Sequence, residues 1–114
     1  MEIKLCGKKY DCGHLSIEKY HLLNDTLESF GECEMFKNPY TAEMTEKAAE
    51  TLSAITDRQL TKEDILEKGD FVDVLLAFRT IQAEALAKFN NAATEIEKHF
   101  FPKGGDEETS PPEN

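Results

Sequence analysis

From Asp70 to Phe101 the apolar residues recur with helical spacing, and no other segment constrains the fold as strongly. Phe71, Val74, Leu75, Phe78, Ile81, Ala85, Phe89, Ala92, Ile96 and Phe100 follow one another at steps of one to four, mostly three or four. That spacing holds them on one side of a helix of about 3.6 residues per turn. Val72, Leu76, Ala83 and Leu86 form a second row about a quarter turn away, so the first half of the helix is expected to be enclosed by other elements. Later only the stripe Ala92, Ile96 and Phe100 remains, against Thr94, Glu95, Glu97, Lys98 and His99. About thirty helical residues span about 45 Å, more than three shorter helices cover. Apolar side chains near the end of such a helix, rimmed by charge, form an association surface for another copy or for a partner helix. Phe89, Ile96, Phe100 and Phe101 are its candidate residues.

The rest of the chain divides into short elements. Met1 to Cys12 reads as two strands joined at Gly7-Lys8, where glycine at the first central position suits a type II′ turn. That turn sets Leu5 opposite Tyr10 and Ile3 opposite Cys12, with all four on one face and Lys4, Cys6, Lys9 and Asp11 on the other. Ser16 caps a helix running to Phe30, with Ile17, Tyr20, Leu23, Leu27 and Phe30 on one side and Gly31 past its end. In the loop from Gly31 to Tyr40, Met35, Phe36 and Tyr40 either tuck under the body or stand available to a partner. Tucking is the expectation, and Met35 and Phe36 complete the candidate partner-binding set. Thr41 caps a second helix with a thin stripe of Met44, Ala48, Leu52 and Ile55. Thr61 and Asp64 form a capping box, with Leu60 and Ile65 as its hydrophobic staple, for a two-turn helix ending at Gly69. Asp70 and Asp73 repeat the capping arrangement and start the long helix, which the Asn90-Asn91 pair is expected to loosen or bend. The fold class expected is mainly α: an N-terminal β-hairpin and about four helices, the last long and central. Residues 1–101 form a single helical domain, and 102–114 form a disordered acidic tail.

Composition narrows the function classes. The formal charge is −10, from 23 acidic and 13 basic side chains. Nucleic-acid binders present clustered Lys and Arg, so this balance argues against nucleic acid and equally against an anionic membrane surface. The first ten residues carry four charges, and no apolar run approaches the roughly 20 residues of a membrane span. With three cysteines, an odd number, the expected location is the cytoplasm.

No catalytic, cofactor or metal site is expected. Cys6, Cys12, His14, His21 and Cys33 all fall in the first third, but their spacing matches no common zinc knuckle. Cys12 and His14 share a face of an extended segment, yet they lack an orienting third group or an oxyanion donor. Gly104-Gly105 has no following helix to make a phosphate loop. Glu32/Glu34 and Asp106/Glu107/Glu108 lack the spacing of a calcium loop.

The order of these elements resembles the tail assembly chaperones of long-tailed phages and Gram-positive prophages. The resemblance covers most of residues 1–101. It rests on the opening MEIKLCGKKY and on LTKEDILEKGDFVDVLLAF, residues 60–78. It implies a non-enzymatic protein that binds the long, apolar, largely helical tape measure protein in the host cell cytoplasm and keeps it soluble while tail tube subunits polymerise around it. In such families a longer form often arises by ribosomal frameshifting near the end of the short one. Phe101-Pro102-Lys103 is compatible with a slippery run of the form C-CCA-AAA. The alternative reading is an acidic helical adaptor or regulator that binds one folded partner. Surfaces that a monomer leaves uncovered, at the hairpin edge and the C-terminal arm, add the hypothesis of a homo-oligomer.

Overall fold

The computed structural model describes residues 1–34 and 36–100. Among them the elements are β1 (Glu2–Leu5), β2 (Lys8–Asp11), α1 (Ile17–Phe30), α2 (Ala42–Ile55), α3 (Lys62–Lys68) and α4 (Phe71–Phe100). The chain is therefore mainly helical, with an N-terminal antiparallel hairpin and a long last helix. It divides into two compact units, Met1–Ile81 and Gln82–Asn114. The expected acidic tail, 102–114, lies outside the described residues.

The hairpin turns one residue earlier than glycine alone suggests. Ile3 pairs with Tyr10 and Leu5 with Lys8, leaving Cys6 and Gly7 as the two-residue loop, with φ of 51° and 80°. Positive φ at both central positions is the type I′ geometry, whose twist suits tight hairpins as well as II′ does. The shift moves each partner by two residues, so side-chain parity is unchanged and Ile3, Leu5 and Tyr10 still share a face. Ile3 and Leu5 are buried. Past β2, Cys12 donates its N–H to the Met1 carbonyl at 2.7 Å and buries its side chain in the core.

The most enclosed element is the second half of α2, not α4. From Ala48 to Thr56, all but Glu50 and Ala54 are buried, and the helix packs against both α1 and α3. The thin stripe expected from the apolar residues understates this, because Thr51, Ser53 and Thr56 are buried too. Each hydroxyl is satisfied inside the fold, as burial of polar groups demands. Thr26 Oγ1 donates to the Leu22 carbonyl at 2.9 Å and shares a hydrogen bond of 2.6 Å with Thr51 Oγ1. Ser53 donates to the Leu60 carbonyl at 2.6 Å. Thr56 donates to the carbonyls of Leu52 and Ser53 at 3.0 and 3.1 Å.

The Thr26–Thr51 bond fixes which side of α1 faces inward. Leu23, Thr26 and Phe30 are its buried residues, whereas Ile17 and Tyr20, expected on the packed side, are exposed. In the first turn the inward position is held by Lys19, whose side chain is only 13 % exposed. Ser16 accepts from the Lys19 N–H and Thr41 from that of Met44, so both caps form as read. The capping box of Thr61 and Asp64 is complete on both sides. Lys62 ties α3 to α2 through Glu46 and Glu50, at 3.4 and 3.8 Å. Gly69 follows α3 in extended conformation. Glycine is needed there for space, because a Cβ would sit 2.5 Å from the Ile65 carbonyl oxygen.

Phe78 closes the core in a chain of edge-to-face rings: Phe30–Phe78 at 5.8 Å, Phe30–Tyr40 at 4.9 Å and Tyr40–Phe71 at 5.3 Å. Val74, Ala77, Phe78 and Ile81 are buried, while Val72 and Leu76 of the second row stand exposed. α4 is thus covered along one side only, and the expectation of an enclosed first half is corrected. It runs through Asn90 and Asn91 as one uninterrupted helix. Truncating Phe78 to Ala is expected to cost about 3–5 kcal/mol. Leu76→Ala, two positions away on the open side, is expected to stay within about 0.5 kcal/mol. Urea unfolding of the two variants checks this; comparable losses would place Leu76 in the core.

Candidate interaction surface

Among the described residues none after Ile81 is buried. Ala85 and Ala93 are half-covered, and Leu86, Phe89 and Ile96 are 61, 68 and 56 % exposed. Of the partner-binding set read from the sequence, Phe89 and Ile96 therefore stand open on α4. Met35 and Phe101 lie outside the described residues, as does the side chain of Phe100. Phe36 is 95 % exposed, which corrects the expectation that it tucks under. Tyr40, at the other end of the same loop, does tuck, held between the rings of Phe30 and Phe71. Leu86, expected in the enclosed second row, instead joins the open surface. The signal that identifies it is heptad spacing, since Leu86, Phe89, Ala93 and Ile96 recur at steps of three, four and three.

The sequence candidates for chemistry are dispersed. Cys12 lies fully inside the core and His14 outside it. The residue between them, Gly13, has a φ of 64°, which ends the strand alternation that would put both on one face. Ser16 is occupied as the α1 cap. Cys6 Sγ lies 3.8 Å from the Asp64 carbonyl. Its thiol is pushed up from the ordinary value by burial first and by Asp64 second, which works against a reactive thiolate at neutral pH. Among the described residues no group of three or more His, Cys, Asp or Glu side chains converges to hold a metal ion.

A polar junction links the end of the hairpin, the start of α1 and the α2–α3 loop. Lys19 donates to the Cys12 carbonyl at 2.8 Å and pairs with Asp57 at 3.1 Å. Gln59 donates to the carbonyls of Asp11 and Thr56 at 2.8 and 2.9 Å. Asp57 and Arg58 are both left-handed, with φ of 55° and 63°. Their N–H groups return to the carbonyls of Ala54 and Ser53, a Schellman-type stop in which an aspartate stands where glycine is usual. From that position its carboxylate reaches Lys19. An open depression of about 520 Å³ beside the junction is lined by His14, Glu18, Lys19, Asp57 and Arg58 among others. Its charges are of both signs, and Lys19 is already committed, so it offers no convergent set for one ligand type.

No helix among the described residues is long and apolar enough to cross a membrane. Comparison with protein families, with curated proteins and with solved structures finds no match to this chain.

Asp11 gives a pH dependence. The Gly13 N–H first, at 2.9 Å, and then the Met1 ammonium, at 3.6 Å, hold its carboxyl below the usual carboxylate range. A depressed folded-state pKa contributes stability that is present above the unfolded value of about 3.9 and lost as pH falls through the folded one. Carboxyl NMR titration is expected to show Asp11 protonating below a free aspartate. Asp11→Asn is expected to flatten the acid limb of the stability profile, and an unchanged limb would remove Asp11 from that role.

Proposed function

We propose that this protein is a tail assembly chaperone of the long-tailed phage type, a non-enzymatic binder that holds the apolar, largely helical tape measure protein in solution in the cytoplasm during tube assembly. The observation that carries the reading is the open stripe of Leu86, Phe89 and Ile96 on a helix whose last buried residue is Ile81. A helix of that length without packing is marginal in water, so an apolar face on it favours association. Phe36 adds a second apolar contact point. A formal charge of −10 supplies colloidal repulsion to a complex whose partner is sticky. Helix-in-groove contact through a few apolar anchors gives the moderate affinity that release to the tube protein requires.

The alternative, an acidic adaptor for one folded partner, draws on the same stripe. Gene order separates the two, since a tail chaperone gene lies between those of the tube and the tape measure. The direct test is co-expression with a tape measure fragment. The wild-type chain is expected to keep the fragment in the soluble fraction, and the triple variant Leu86→Glu, Phe89→Glu, Ile96→Glu to lose that effect while residues 1–81 unfold as before. A fragment that precipitates equally with both chains rejects the chaperone reading and leaves the adaptor.

A further inference from the structure

We propose that residues 82–100 of α4 pair antiparallel with the same segment of a second copy, so that the free protein is a dimer whose open stripe is closed by itself. The spacing of Leu86, Phe89, Ala93 and Ile96 is that of alternating core positions of a two-stranded helical pair. All four lie on the uncovered part of α4, with the three large residues more than half exposed. What selects the occupant is the order of sizes along that seam. With the two-fold axis level with Asn91, Leu86 meets Ile96 of the second copy and Phe89 meets Ala93. Each bulky ring is then matched to the position where an alanine leaves room. A parallel pair would set Phe89 on Phe89 and Ala93 on Ala93, overfilling one layer and leaving a gap in the other.

The partner of the proposed function takes the same stripe, so it must displace the second copy. Self-pairing is nevertheless read on the purified chain alone, and its failure leaves the co-expression assay intact.

Sedimentation of the purified full chain across the micromolar range is expected to show a monomer–dimer equilibrium. Phe89→Glu is expected to weaken it by at least about tenfold, without moving the unfolding transition of residues 1–81. Geometry is read with nitroxide labels on Glu84→Cys, Asn91→Cys and Lys98→Cys, placed singly in a Cys6→Ser, Cys33→Ser background. These three positions are one heptad apart and point away from the seam. Antiparallel pairing gives the shortest inter-label distance at 91, and an axial offset of about 21 Å at both 84 and 98. Equal distances at the three sites would mean parallel pairing and overturn the proposal. A monomer at every concentration, or a dimer that Phe89→Glu leaves intact, would overturn it as well.

Discussion

The packing of this protein is organised by the burial of α2 between Ala48 and Thr56. A helix segment enclosed on nearly all sides must present small side chains to its neighbours and must leave no polar atom without a partner. Ala48 and Ala49 supply the close approach, and Thr51, Ser53 and Thr56 bond inward to Thr26, to the Leu60 carbonyl and to their own helix. These bonds do more than satisfy buried groups. The Thr26–Thr51 contact sets the rotation of α1, and the Ser53–Leu60 contact holds the start of α3. α1 and α3 take their places from hydroxyls that a hydrophobicity profile scores as neutral.

The long helix reads differently along its length for a related reason. Apolar periodicity reports that a side chain is suited to burial, but not that the chain has enough other mass to bury it. Fewer than half of the residues from Phe71 to Ile81 reach the core, and none of the described residues after Ile81 does. The surplus apolar surface on Leu86, Phe89 and Ile96 is therefore free for association, whether with a partner helix or with a second copy. That surplus, set in an acidic chain, is the physical content of the functional proposal.

Much of the local structure was legible because it depends on short-range chemistry. The caps at Ser16, Thr41 and Thr61 bond only residues three positions away, so they form as read. The hairpin was legible as a hairpin, but Cys6-Gly7 and Gly7-Lys8 are both plausible two-residue turns that leave Ile3 and Leu5 on the same buried face, so the alternation of apolar residues does not choose between them. The candidate surface was half legible: Phe89 and Ile96 follow from helix length, whereas Leu86 and Phe36 do not. Leu86 belongs to a row whose spacing resembles core, and Phe36 shares its loop with Tyr40, which is half-buried against Phe30 and Phe71.

The amino-acid sequence by itself determined where the helices begin, that one of them is far longer than the others, and that the chain is strongly acidic. Those properties follow from backbone capping, residue periodicity and charge, none of which needs a neighbour in space. Tertiary structure alone decided that α2 and not α4 is enclosed, that Lys19 and Thr26 and not Ile17 and Tyr20 face inward, and where along α4 burial stops. Each of these depends on which surfaces meet and how much of them there is, and both are properties of the packed chain as a whole.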